Sequence, residues 1–249
     1  MNNDTEQFLR KILPHSGHYC IAWQSSDRGG MPHEFFTDVT AMAARIGELE
    51  KQQRTVYFAP ASFSEAKRRQ GWVHALKSLW FDIDCGEDKA ESGQGYATQS
   101  DAAKQLFSWL NTNNLPVPTI VSSGHGLHVY WCLPETIAPS DWKKCAEQLK
   151  QLAAIGPQLL LVDHSRTTDS ASLMRPVGTC NRKRGKPVKG VGVTYNASPV
   201  GFVEFRQLVI AAIGDLMPPA ESQGISAAVP AVTASPSSTL LDDLRSGSS

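Results

Sequence analysis

A chain of 249 residues with 41% hydrophobic content can bury the core of one large domain or two small ones without disulfide or metal staples. Its 24 Lys and Arg balance 24 Asp and Glu, which excludes a uniformly basic or acidic surface, so any surface for a polyanion must come from local segregation of charge. Cys20, Cys85, Cys132, Cys145 and Cys180 are odd in number and contain no C-x-x-C pair, which argues against a zinc site or disulfide framework and for reduced, mostly buried thiols. No apolar run reaches the length of a membrane span, and the opening MNNDTEQFLRKIL is too polar for a signal peptide. A cytoplasmic protein without a membrane partner is expected.

In chain order, a first helix is expected with Asp4 as N-cap and Phe8, Leu9 and Ile12 on one face before Pro14. A strand follows at His18 to Trp23, then a helix capped by Asp38 with Met42, Ile46 and Leu49 at helical spacing, then a strand at TVYFAP (55–60). These make a smaller N-terminal α/β unit over 1–77. From Leu79 the pattern is a strand (LWFDID), a loop rich in Gly, Glu and Ser, and a helix carrying Ala103, Leu106, Phe107 and Leu110 on one stripe. TIVSS (119–123) and LHVYWCL (127–133) read as a hairpin closed by Gly124-His125-Gly126. Ser140 is placed as the cap of a helix with Trp142, Cys145, Ala146, Leu149, Leu152 and Ala153 inward, ending near Gly156-Pro157. With a buried strand at LLLV (159–162), the order strand-helix-strand-strand-helix-strand predicts a ferredoxin-like unit over 78–217.

Ser198 and Pro199 give a cap-plus-N1 signal for a last helix through about Ile213. Beyond Pro218 the Ala, Ser, Pro, Val and Gly composition cannot offset the entropy of ordering, so residues 218–249 are expected to form a disordered tail. The scrap LLDDLR at 240–245 reads as a frayed end in preference to a docking segment or the start of a further domain.

Three segments bear chemistry. In FDID (81–84) the period of two puts Asp82 and Asp84 on one face of a strand while Phe81 and Ile83 point into the core, a geometry suited to Mg²⁺ or Mn²⁺. In SSGHGLHVYW (122–131) the small residues Ser122, Ser123, Gly124 and Gly126 can bring backbone N–H groups close to a phosphate, and alternation places His128 with Tyr130 on one face. The plain alternative is a hairpin that uses glycine only for its dihedral angles. In the third segment, LLLV ends in Asp163, a natural third metal ligand; Asp169, with no strand before it, suits a turn. Between Arg166 and Lys189 stand seven basic residues against one acid. Arg175 precedes a Pro-Val-Gly-Thr turn that can aim it at a triphosphate, and Arg182, Lys183 and Arg184 can follow a template backbone.

Together these segments resemble the archaeo-eukaryotic primase superfamily, in particular the primase-polymerase domains of phages, plasmids and integrated elements. FDID is similar to its first motif, SSGHGLH to its second and LVD (161–163) to its third, and MRPVGTCNRK is similar to an R-x-P-G-T-x-N-x-K signature, with Val177 between Pro176 and Gly178. The resemblance covers residues 79–186. It implies an α/β (α+β) core of two units, the ferredoxin- or RRM-like half catalytic, with the active site in a cleft. It implies a DNA primase or polymerase in which Asp82, Asp84 and Asp163 hold two Mg²⁺ or Mn²⁺ ions. Ser122, Ser123, Gly124, Gly126, His128 and Arg175 would bind the (d)NTP, and Arg182, Lys183 and Arg184 a single-stranded DNA template. A replicative helicase, in trans or fused, is an expected partner. The competing expectation is a non-catalytic, DNA-binding replication-initiator module. A nicking relaxase ranks last, because no helix with a Tyr nucleophile follows His125 and His128.

Overall fold

In the computed structural model, residues 2–24, 30–183 and 185–216 are described; Arg184, the expected tail 218–249 and its LLDDLR scrap lie outside them. Alternation begins well before FDID. Strand β4 covers Val73–Asp84, and it crosses the expected unit boundary at residues 77 and 78. The elements before it are helix α1 (Asn2–Ile12), strands β1 (His18–Trp23) and β2 (His33–Phe36), helix α2 (Val39–Lys51) and strand β3 (Val56–Phe63). After it come α3 (Glu87–Glu91), α4 (Gln99–Thr112), β5 (Thr119–Ser122), β6 (Gly126–Ile137), α5 (Pro139–Ala154), α6 (His164–Thr167), β7 (Cys180–Asn181), β8 (Lys189–Gly190), β9 (Gly192–Tyr195) and α7 (Phe202–Leu216).

Seven strands form one antiparallel sheet in the order β2-β1-β3-β4-β6-β5-β9, and β7 and β8 make a separate two-stranded ladder. This is a mixed α+β architecture in which the described residues make one compact unit. Apolar side chains on one face meet α4 and α7: Phe81 stands edge-on to Trp109 at 5.8 Å, and Trp131 tilts against Phe205 at 5.3 Å. On the other face Phe8 of α1 meets Tyr130 and Phe58, each at 5.7 Å.

Several expectations shift by a turn, each for a local reason. Asp4 lies inside α1, not at its cap. Asp38 does cap α2, accepting from the N–H groups of Thr40 and Ala41. Helix α5 starts at Pro139, whose missing N–H is an orphan position anyway, so Ser140 is already helical. Its expected inward residues are all buried. Helix α7 begins at Phe202, later than Ser198-Pro199, because Val200 N–H donates to the Cys132 carbonyl and the Glu135 carboxylate accepts from Phe202 N–H at 2.6 Å. In α4 the buried stripe is Ala102, Leu106, Trp109 and Leu110; packing Trp109 against Phe81 turns Phe107 outward, to the ring of Tyr195. LLLV is extended but joins no ladder. Leu160 donates to Ala153, Leu161 to the Tyr96 hydroxyl and Asp163 to the Asp82 carbonyl, so each N–H finds a different element. The five cysteines are free thiols, with Cys20, Cys132 and Cys145 buried. No helix among the described residues is long and apolar enough to cross a membrane.

Candidate active site

Strand alternation brings Asp82 and Asp84 to one face, at 15% and 42% side-chain exposure, while Phe81 and Ile83 are fully buried. The β4–β6 register pairs Asp82 with His128 and Asp84 with Gly126. A Cβ at Gly126 would collide with the Ile83 carbonyl oxygen, so only glycine lets β6 start this close to β4. At Gly124, φ is +89° and a Cβ would sit 2.7 Å from the Asn181 side chain. Close packing therefore accounts for both glycines of the turn.

The third carboxylate reaches the same place from a separate segment. Asp163 N–H donates to the Asp82 carbonyl at 2.8 Å, and its side chain caps the one-turn helix α6 through Ser165 N–H, Ser165 Oγ and Arg166 N–H. Burial works to raise the Asp163 pKa, but these hydrogen bonds and the nearby guanidinium outweigh it and hold the carboxyl below its usual value. Asp82 goes the other way. Burial, reinforced by the charges of Asp84 and Asp163 and opposed by Arg166, pushes it up to about 7.

Cations occupy the spaces between these acids. Arg166 Nε lies 3.1 Å from Asp82 Oδ2 and 3.3 Å from Asp163 Oδ2, and Lys89 Nζ lies 2.8 Å from Asp84 Oδ2. Accordingly, no group of three or more His, Cys, Asp or Glu side chains among the described residues is drawn together as a metal cage.

A cleft of about 530 Å³ opens over the three aspartates, walled by Tyr57, Ser123, Asn181 and His125 and by Lys89, Arg166, Arg175 and Lys183. Two lysines and two arginines face three aspartates, so the lining carries one positive charge in excess when its histidine is neutral. Arg175 is anchored because its neighbour Met174 exchanges two backbone hydrogen bonds with Phe58, next to Tyr57. Its guanidinium lies over the Tyr57 ring at 5.0 Å and donates to the Tyr57 hydroxyl at 3.3 Å, while its buried Nε has no hydrogen-bond partner among the described residues.

The remaining expected site residues divide. Ser123 lines the cleft; the Ser122 hydroxyl is taken by Gln99 at 3.0 Å; Gly124 lines an adjoining pocket of about 390 Å³ with His125, Lys186 and Lys189. His128 is only 2% exposed and stands behind Asp82, with Nε2 3.7 Å from Asp82 Oδ1 and the Tyr130 hydroxyl 3.5 Å from Nδ1. Burial, with Arg175 and Arg166 nearby, pushes its pKa down to about 3, so the imidazole is neutral at physiological pH. His128 thus lies near the aspartates, as expected, but in the layer beneath the cleft lining and with Tyr130 beside its ring.

Lys183 faces the cleft, but Arg182 turns away to Glu50, with both guanidinium NH groups on the carboxylate and further bonds to the Arg54 and Cys180 carbonyls. Asp169 accepts from Gln70 and from Ala171 N–H, a turn role. Lys89, Tyr57, Asn181 and the bridging position of Arg166 had no periodic signal. Asn181, 1% exposed, ties the basic loop to the hairpin by donating to the Ser123 carbonyl at 2.8 Å, and its place in GTCNRK was the one available clue.

The antiparallel sheet, with paired carboxylates at the end of its central strand and a third from the segment beside it, shares its fold with solved primase-polymerase domains. The chain matches no family model and no curated protein. Among solved structures it is similar to the primase-polymerase domain of cyanophage S-2L, with a TM-score of 0.59 at 14% identity over 84% of this chain and 98% of that one. It is also similar to the primase RepB′, with a TM-score of 0.50 at 15% identity over 85% of this chain and 62% of that one. The catalytic domain of RepB′ in complex with initiator DNA gives the same score and identity, with 95% of that chain covered.

Proposed function

We propose that this chain is a template-directed nucleotidyltransferase, a DNA primase or polymerase serving replication of a mobile element. The observation that carries the reading is the convergence of Asp82, Asp84 and Asp163, from two separate segments, in one cleft with Arg175 and Lys183. The donor set fits two Mg²⁺ or Mn²⁺ ions: it is all carboxylate oxygen, and the guanidinium of Arg166 between Asp82 and Asp163 already stands in for a cation. When bound, such ions would activate an attacking 3′-hydroxyl and neutralise the departing pyrophosphate.

The chain's own residues do the positioning. Arg175, held against Tyr57 with Nε unpartnered, offers charge-assisted donors to the triphosphate of a (d)NTP, and Ser123 and Lys183 add to them. His128, neutral and fixed beneath Asp82, orients that carboxylate. Lys186 and Lys189, with Lys183, form the basic rim along which a single-stranded DNA template would lie; Arg182 serves this surface indirectly, by clamping the loop to Glu50. The DNA complex of the RepB′ catalytic domain supports a DNA partner, and the cyanophage domain supports the mobile-element setting. A replicative helicase, in trans or fused, completes the proposed setting.

The test is incubation of the full chain with single-stranded template, labelled nucleotides and Mg²⁺ or Mn²⁺, with and without a primer. Metal-dependent incorporation that is lost in Asp82→Ala is expected. The second reading, a DNA-binding initiator module without catalysis, is favoured by the ion pairs that already satisfy the aspartates. It gains if template binding is normal in Asp82→Ala and no incorporation occurs in the wild type.

A further inference from the structure

The ion pairs between the aspartates deepen this reading, and the inference below rests on it. We propose that Arg166 is an internal counter-ion: it occupies the position between Asp82 and Asp163 in the metal-free protein, competes with the divalent ion for it, and transfers to the nucleotide's phosphates when metal and nucleotide enter together.

The geometry supports each part. Arg166 Nε sits 3.1 Å from one carboxylate and 3.3 Å from the other, so its positive charge is shared between two acids. While the guanidinium remains, those two carboxylates already have a cation between them, with which a divalent ion would have to compete. The side chain is also tethered for a short swing, not a large one. Its own carbonyl accepts from the Trp80 indole at 2.9 Å, which holds the backbone, and its Nη1 donates to the Leu173 carbonyl at 2.8 Å, the contact about which the guanidinium would pivot to take Nε away from the acids. At 41% side-chain exposure the guanidinium has somewhere to go. It borders both the cleft over the aspartates and a neighbouring cavity of about 540 Å³ that also contains Arg68, Gln70 and Ser172.

Charge count gives the order of events. With two arginines and two lysines facing three aspartates, a divalent ion arriving alone enters a lining that already has an excess positive charge. A nucleoside triphosphate reverses that balance and offers Arg166 a better partner than the acids it leaves. Metal and triphosphate should therefore bind with strong positive coupling, and Arg166 is the residue through which the coupling acts.

The first measurement is Mn²⁺ binding by calorimetry to the full chain without nucleotide. Arg166→Gln should bind Mn²⁺ about tenfold more tightly than the wild type, the size of one charge-assisted contact removed from competition. Asp82→Asn should bind none. In the presence of an α,β-imido nucleoside triphosphate the wild type should gain about as much affinity, and Arg166→Gln much less. Because Arg166→Gln can lose stability with its tether to Leu173, a second measurement uses the wild type alone. The Arg166 Nε–H resonance, assigned by its loss in Arg166→Lys, should shift and exchange faster with solvent when Mg²⁺ and the triphosphate analogue are added. Equal Mn²⁺ affinity in wild type and Arg166→Gln, abolished by Asp82→Asn, would overturn the proposal and leave the carboxylate site standing. An unmoved Arg166 resonance with metal bound would do the same. Absence of Mn²⁺ binding in every variant, with or without triphosphate, would overturn the underlying reading itself.

Discussion

Two regions of the molecule present site residues by different means. On β4 and β6, Asp82, Asp84 and His128 are placed by ladder register, so backbone pairing over the whole strand fixes each side chain. Between residues 160 and 189 there is little ladder, and Asp163, Arg166, Arg175 and Lys183 are placed by individual contacts: a cap, a bridge to Phe58, a clamp at Glu50 and the amide of Asn181. A ladder distributes its stability over many bonds, whereas each contact in the loop acts almost alone. Substitution of a side chain on the ladder should therefore remove chemistry and spare the fold. Substitution of a tether in the loop should misplace a neighbour that was not itself touched.

The largest effect should come from the ladder acids. Asp84→Asn should reduce nucleotide incorporation below detection with an unchanged circular dichroism spectrum; a folded Asp84→Asn with full activity would break the contrast. Next is the backbone of the ladder itself. Gly126→Ala forces a methyl against the Ile83 carbonyl and should lower unfolding free energy by about 1–3 kcal/mol in denaturant titration, the usual cost of overpacking.

In the loop, Asn181→Ala strands the buried Ser123 carbonyl and should cost about 1–3 kcal/mol. Its distinguishing readout is nucleotide affinity, which should weaken as Ser123 and Lys183 lose register although neither is changed. If Asn181→Ala lowers stability and leaves nucleotide affinity intact, the loop does not depend on single tethers.

The smallest effect, in the wild type, is a pH slope to which two groups in contact on the ladder contribute with opposite sign. His128 is near 3 in the folded state against an ordinary 6.5, so from about pH 6.5 downward the unfolded chain takes up a proton that the native one refuses, and stability falls on acidification. Asp82 is near 7 against an ordinary 3.8, so between about pH 7 and 4 the native state holds the extra proton, and stability rises on acidification. Between about pH 4 and 6.5 the two offset. Asp82→Asn should unmask the histidine, giving a melting temperature that drops with acid, and His128→Gln should show the reverse slope, each at most about 1.4 kcal/mol per pH unit. Parallel pH profiles in both variants and the wild type would contradict this pairing.

The same contrast explains what could be read from sequence. Residues whose neighbours alternate, such as Asp82 between Phe81 and Ile83, announce their face. The register that sets His128 beside Asp82 follows once the hairpin turn is located. The place of Asp163 beside the paired aspartates was legible but its role as a helix cap was not, because a one-turn helix has no periodicity to detect. The commitment of Arg182 to Glu50 depends on α2 arriving from 132 residues away, and nothing local distinguishes it from its neighbour Lys183. Lys89 sits in a stretch that reads as loop, and its partner Asp84 becomes apparent only when α3 folds back over the end of β4.

The indoles of Trp80 and Trp142 lie 4.7 Å apart at an angle of 36°, and Trp80 donates its indole hydrogen to the carbonyl of Arg166. Chromophores this close, held at a fixed twist, couple their electronic transitions, so the pair should contribute a bisignate ultraviolet band to the circular dichroism spectrum. The two indoles sit on β4 and α5; Trp80 donates to the Arg166 carbonyl and Trp142 to the Ser78 carbonyl. This band is a signature of the folded, unmodified protein, and Trp142→Phe should erase it, removing one of the two coupled transitions while the remaining tryptophans still emit.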